Sequence, residues 1–306
     1  MLNAKLLKEK DMKKTGFIAI VGRPNVGKST LLNSILGEKV AIVSNKPQTT
    51  RNRITGIFTR GEEQFVFLDT PGMHSPKNTL GEYMVKEADN SMREADAVVL
   101  VVDTGKDITA VEENVIAYLK KSGIPSVLAL NKIDQYDRED IAKAISMYAE
   151  KHDFSAFVPI SARSGKNVSE VLDECAKFLE ESPWFFPEDM ITDQPERQVA
   201  AELIREKILR TLNKEVPHGT AVVIEEFKDE GTLITIRAEI FCEKASHKGI
   251  IVGKNGASLK LIGSYARADL EKMFGTKVYL NLWVKVKENW RESARTVSNF
   301  GYRDDK

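Results

Sequence analysis

Over the first 180 residues or so, short apolar runs alternate with longer stretches in which apolar residues recur every three or four positions. The runs Phe17–Val21, Ile54–Phe58, Phe65–Leu68, Val98–Val102, Ser126–Leu130 and Phe157–Ile160 have strand length. The periodic stretches Lys28–Leu36, Thr79–Arg93, Thr109–Lys121, Arg138–His152 and Asn167–Glu181 read as amphipathic helices. This alternation predicts an α/β fold, a mixed sheet covered by helices on both faces. Only a short polar turn separates Ile54–Phe58 from Phe65–Leu68, so that pair fits an antiparallel hairpin.

The pattern changes at residues 182–195, SPWFFPEDMITDQP, which hold three prolines and no helical period. Beyond them come a helix (Glu196–Leu212), two strands (Ala221–Phe227 and Leu233–Phe241), a short helix-like segment, a glycine turn, a helix (Ala257–Phe274) and an alternating strand (Lys277–Val286). That order predicts an α+β second domain. The expected division is 1–181, a linker at 182–196, and 197–306.

Composition narrows the class. Of 306 residues, 42% are hydrophobic and 29% charged, which excludes disordered and fibrous chains. Lys plus Arg equals Asp plus Glu at 45 each, so the chain is not a wholly basic nucleic-acid binder. The balance is local, however. Lys244 to Arg291 carries ten basic and three acidic residues, +7, which leaves −7 elsewhere. A +7 stretch is a solvated face or a footprint for a polyanion. Two distant cysteines form neither a metal spacing nor a disulfide framework. The charged first residues, MLNAKLLKEKDMKK, lack a signal peptide's apolar core. No run approaches the roughly 20 apolar residues of a membrane span. A cytoplasmic protein is expected, with peripheral membrane contact left open.

Candidate chemistry sits at strand ends. Phe17–Val21 runs into Gly22-Arg-Pro-Asn25-Val26-Gly27-Lys28-Ser29-Thr30, a phosphate loop in its strand–loop–helix setting. Its amides and the helix N-terminus can cradle phosphate, Lys28 supplies a point charge, and Ser29 is a hard oxygen ligand for Mg²⁺. Asp69-Thr-Pro-Gly72 follows the next strand, 40 residues after Ser29. Asp69 can hold Mg²⁺ through water, and Gly72 can offer its N–H to a γ-phosphate. Asn131-Lys132-Ile-Asp134 ends another strand. The Asp134 carboxylate can accept from guanine N1–H and the 2-amino group together, a donor pair adenine lacks. Ser161-Ala162-Arg163 can present an amide to guanine O6.

In this order the motifs resemble the small GTPase signature over residues 15–180. The resemblance implies GTP/GDP and Mg²⁺ as ligands, with Lys39 to Arg53 as the first switch. Either Thr49 or Thr50 would complete magnesium coordination, and Gln48-Thr-Thr-Arg51 points to Thr50. Met73 stands where many GTPases carry the catalytic glutamine, and a thioether cannot orient water. His74 is adjacent, and a bystander role suits it better than a catalytic one. Asn25 resembles the asparagine that helps hold an activating K⁺ in the translation-factor-like branch. Gly253-Lys254-Asn255-Gly256, inside the +7 stretch and ahead of an amphipathic helix, resembles the loop of a type II KH domain; Lys260 is a candidate phosphate contact.

The whole arrangement resembles the Era/TrmE family of translation-factor-like GTPases, in the branch with a C-terminal KH domain. That resemblance implies a monomeric GTPase bound near the 3′ end of 16S rRNA, acting in 30S subunit assembly and not on DNA. Two rivals remain: an RNA-binding factor for which nucleotide is a structural ligand, and an ATP-dependent enzyme, against which Asp134 argues.

Overall fold

The computed structural model describes residues 13–213 and 215–303. The charged segment 1–12, on which the absence of a signal peptide was argued, lies outside them. In chain order the elements are β1 (Lys14–Val21), α1 (Lys28–Leu36), β2 (Ile54–Arg60), β3 (Glu63–Asp69), α2 (Thr79–Glu94), β4 (Ala97–Asp103), α3 (Ala110–Ser122), β5 (Ser126–Asn131), α4 (Arg138–Ala149), β6 (Ala156–Pro159), α5 (Val168–Ala176), β7 (Glu180–Glu181), α6 (Glu196–Thr211), β8 (Ala221–Asp229), β9 (Leu233–Cys242), α7 (Ala245–Val252), α8 (Ala257–Phe274), β10 (Lys277–Val286) and α9 (Ala294–Asn299). They fall into two compact units. The first holds 50–74 and 84–193 with the residues up to 41; the second holds 42–49, 75–83 and the residues from 194.

The first unit is built on a seven-stranded sheet of order β2-β3-β1-β4-β5-β6, with β7 antiparallel on β1. Strands β3, β1, β4, β5 and β6 are parallel, and β2–β3 is the antiparallel hairpin. Every residue of β4 is buried, as a strand covered on both faces requires. Two apolar clusters flank the sheet. One joins Ile18, Ile20, Leu31, Phe65 and Phe67 to α5; the other joins Ala19, Val98, Leu100, Leu128 and Leu130 to α3 and α4. Because β1 lies between β3 and β4, chain order reverses there, and the loop after β1 opens into the crevice such a reversal creates.

Two expectations need correction. The helix predicted over Asn167–Glu181 stops at Ala176, because Glu180–Glu181 pair with Lys14 and Thr15 as an edge strand. Nor is the proline-rich stretch a free linker, since 182–193 belong to the first unit. The Gln64 carboxamide accepts from the amides of Phe185 and Phe186 at 3.0 and 3.1 Å and donates to the Phe186 carbonyl at 2.9 Å. Phe185 stacks on Phe17 at 5.2 Å, and the Trp184 indole donates to the Glu62 carbonyl at 3.2 Å. Backbone polarity that could not be satisfied by a regular element is satisfied here by one buried glutamine.

The second unit has a three-stranded sheet, β10-β9-β8, with β10 parallel and β8 antiparallel to β9. Its core packs Ile204, Ile208, Ile236, Ile240, Ile262 and Leu270 together on one face of the sheet. Within this unit, 42–49 are held by α6. The Glu206 carboxylate accepts from the Val43 amide at 3.0 Å, Arg210 donates to the Val43 carbonyl at 2.9 Å, and buried Arg205 donates to the Thr49 carbonyl. The terminal helix α9 was not anticipated. It is six residues long, and it is fixed by tertiary contact of Trp290 with Phe300 and Tyr302 rather than by periodicity.

Candidate nucleotide and RNA sites

Four loops leave the C-terminal ends of parallel strands on the same side of the first sheet: those after β1, β3, β5 and β6. Asn131 fastens three of them together. Its side-chain amide donates to the Val26 carbonyl at 2.7 Å, and its oxygen accepts from the amides of Lys132 at 2.8 Å and Ala162 at 2.9 Å. Gly27 is required beside it, because a Cβ there would lie 2.2 Å from the Asn131 nitrogen and φ is +104°. The side chain of Asn131 is therefore committed to the loops themselves. It shapes the pocket and is not aimed at a ligand.

In the phosphate loop, Lys28 is buried and its ammonium donates to the carbonyls of Gly22 at 3.1 Å and Arg23 at 3.0 Å. Burial lowers its pKa to about 8, against the pull of the Asp69 charge. Burial pushes Asp69 up to about 6, against Lys28 and a hydrogen bond from Ser29. Thr30 follows in the first turn of α1. Asn25 holds a left-handed conformation at the loop's tip, φ +65°.

Ser29, Thr50 and Asp69 come together. The Ser29 hydroxyl donates to Asp69 Oδ2 at 2.6 Å and lies 2.8 Å from Thr50 Oγ1. The second carboxylate oxygen, Asp69 Oδ1, is buried with no hydrogen-bond partner. Hard oxygen donors around an unsatisfied buried carboxylate suit Mg²⁺. Thr49 is placed otherwise: its hydroxyl donates to the Lys46 carbonyl at 2.6 Å. Gly72 presses on the phosphate loop, where a Cβ would lie 2.8 Å from the backbone of Pro24. Met73 packs into the apolar cluster beneath α3 and α4. His74 Nδ1 lies 2.9 Å from the Gly72 carbonyl, while Nε2 is buried without a partner.

The residues expected on the base side lie in the loops after β5 and β6. Lys132 is left-handed, φ +69°, and its ammonium pairs with Asp103 at 2.7 Å. Burial works against the Asp103 charge, but Lys132 and the Tyr136 hydroxyl at 3.0 Å hold its pKa below the usual carboxylate range. Asp134 is exposed in the turn Ile133–Gln135. Ser161 and Ala162 are buried, Ser161 Oγ has no partner, and Arg163 is exposed. Two residues of the site were not foreseen. Glu112, fully buried at the start of α3, pairs with Arg23 of the phosphate loop, and Asp103 buttresses Lys132. The capping pattern Thr109-x-x-Glu112 was the available signal for the first.

In the second unit, α7 ends at Val252 and α8 begins at Ala257; between them Gly253, Asn255 and Gly256 have φ of +74°, +52° and +78°. Lys254, Asn255 and Lys260 are exposed. The loop leads into a cleft of about 510 Å³ between α8 and β10, lined by Gly256, Leu259, Lys260, Arg267, Tyr279 and Leu282. Tyr279 and Leu282 were missed as lining residues, because an alternating strand does not say which of its edges stays open.

A family model for 50S ribosome-binding GTPases matches residues 17–132, and one for the KH domain matches 215–291. The chain is 52% identical to GTPase Era of Clostridioides difficile (strain 630) over 296 residues, 96% of this chain and all of that one. The chain belongs to the Era GTPase family. Era of Alkaliphilus oremlandii is also 52% identical, covering 94% of this chain. Among solved structures, Era in complex with MgGDPNP and nucleotides 1506–1542 of 16S ribosomal RNA matches with a TM-score of 0.92 at 42% identity, over 95% of this chain and 99% of that one. An Aquifex aeolicus Era variant bound to GDP·AlF4⁻ gives 0.91 at 42% identity, over 94% and 99%. The family is the KH-bearing Era line, so the broader Era/TrmE grouping is narrowed. Among the described residues no helix is long and apolar enough to cross a membrane.

Proposed function

We propose that this Era-family GTPase hydrolyses GTP as a switch controlling its hold on the 3′ end of 16S rRNA, in the cytoplasm, during assembly of the 30S subunit. The observation that carries the nucleotide half is the Asn131 tie, which joins the phosphate loop to the two loops assigned to guanine. The RNA half rests on the exposed Gly253–Gly256 loop above an open cleft, and on the structurally similar Era that is complexed with MgGDPNP and 16S nucleotides.

In this reading the phosphate-loop amides and Lys28 bind the β- and γ-phosphates, and Lys28 exchanges its two carbonyl contacts for phosphate oxygens. Asp134 selects guanine, with Lys132 held beside the base by Asp103. Ser29 and Thr50 would ligate Mg²⁺, with Asp69 behind them; bound there, the ion neutralises charge spreading over the γ-phosphoryl oxygens. Gly72 donates its amide to the γ-phosphate. Water attacks phosphorus, the bond to the β-phosphate oxygen breaks, and GDP and phosphate leave. With the thioether of half-buried Met73 at that position, no side chain there orients the water, so slow intrinsic turnover is expected. K⁺ held at Asn25 would add charge where an arginine finger acts in other GTPases. Faster hydrolysis in K⁺ than in Na⁺, lost in Asn25→Ala, would support that role; equal rates in both ions would remove it.

The packing of half-buried Met73 against the apolar cluster also favours one other reading, an RNA-binding factor that uses nucleotide as a clamp. RNA binding that is identical with GTP and GDP would select it.

A further inference from the structure

The outer face of the KH sheet carries large aromatic rings that its own fold does not use. Even-numbered residues of β10, Val278 and Val284 with Leu280 and Leu282, pack into the core under α8. The odd-numbered residues point the other way. There Trp283 is 63% exposed and Tyr279 55%. They lie on one face of an edge strand, about 13 Å apart at roughly 3.3 Å per residue. Exposed edge strands usually carry charge and small polar groups, since a long apolar edge invites aggregation. Two exposed rings on one such face therefore call for an occupant.

We propose that this face is a second RNA-binding surface, on which Trp283 and Tyr279 stack unpaired bases. The inference rests on the reading of the neighbouring cleft as an RNA site. The occupant is argued from charge and continuity. Lys277 and Lys285 flank the two rings along β10, and Arg237 of β9, paired with Glu226 at 2.9 Å, lies opposite Asn281 between them. Glu239 opposite Trp283 is answered by Lys285. Aromatic platforms with basic side chains at their ends are an arrangement that holds single strands, with bases stacked and phosphates neutralised. Tyr279 also lines the cleft beside the Gly253–Gly256 loop, so one strand could run through the cleft and across β10.

The test is fluorescence anisotropy of the full chain with an RNA of the sequence of 16S nucleotides 1506–1542, and with the same RNA annealed to its complement. Trp283→Ala should weaken binding of the unpaired RNA about tenfold, and Tyr279→Ala similarly. Trp283→Phe, which keeps a ring, should bind within about twofold of wild type, and binding to the annealed RNA should not distinguish the three. Lys254→Asp/Asn255→Asp reports on the cleft separately. If that variant loses binding while Trp283→Ala binds as wild type, the second surface is overturned and the cleft stands; a face reserved for a protein partner would give the same result. If the loop variant binds normally and Trp283→Ala does not, the cleft reading fails and the aromatic face survives. Equal loss by Trp283→Ala and Trp283→Phe would mean that stacking is not the cause, and would overturn the proposal.

Discussion

Two side chains of the proposed nucleotide pocket carry separable predictions. Asn131 is 3% exposed and makes three hydrogen bonds to backbone of three loops. Its truncation leaves buried peptide groups unpaired, each costing roughly 1–3 kcal/mol. Asn131→Ala should therefore lower the affinity for GTP and GDP alike by about tenfold or more, read by titration of a fluorescent nucleotide; unchanged affinity would show that the loops hold themselves. Asp134 acts differently. It is exposed, and in the proposed reading it matches two donors on guanine. Asp134→Asn should weaken GTP by about 2–3 kcal/mol, some 30- to 150-fold, without shifting the thermal midpoint of the nucleotide-free protein. A loss of stability of the same size would mean that Asp134 is structural.

Among the elements, the β3 loop and the phosphate loop meet backbone to backbone at Gly72. A methyl group on Gly72 would strike Pro24 backbone at 2.8 Å, and neither partner is a flexible side chain. Gly72→Ala should displace the amide that the proposed function assigns to the γ-phosphate. Single-turnover GTP hydrolysis should fall at least tenfold while GDP affinity changes by less than about threefold. A parallel fall in GDP affinity would locate the damage in the phosphate loop instead. In the second unit, Trp290 is fully buried and its indole donates to the Gly219 carbonyl at 2.9 Å. Trp290→Ala should cost about 3–5 kcal/mol, seen as an early urea transition; a shift below about 1 kcal/mol would mean that α9 is dispensable. The same elements show what can be read from a sequence. α1 and α8 start and stop where their apolar period does, and both are closed by glycine at Gly37 and Gly275. Helix α5 was overextended because Glu180–Glu181 look helical until β1 is available to pair with them. The loops proposed to bind nucleotide stand out in the sequence because phosphate and guanine chemistry demand fixed residue types. Glu112 and Asp103 were not, because residues that brace a site need only fit their neighbours. Trp283 was legible as a strand residue, but its exposure depends on which face α8 covers.

For the molecule as a whole, the central claim is that a GTPase cycle and an RNA site on one chain govern each other. Any such coupling is reciprocal in free energy: if GTP strengthens RNA binding over GDP, RNA must strengthen GTP binding over GDP by the same factor. The +7 character of residues 244–291 makes the RNA affinity steeply salt-dependent, so both ligands must be compared at one ionic strength. The most direct measurement is the affinity of the 1506–1542 RNA for the full chain with Mg²⁺ and either a non-hydrolysable GTP analogue or GDP, in parallel with GTP turnover with and without that RNA. The account predicts at least fivefold tighter RNA binding in the GTP-analogue state and RNA-dependent turnover. The same RNA affinity in both nucleotide states, with turnover indifferent to RNA, would contradict it.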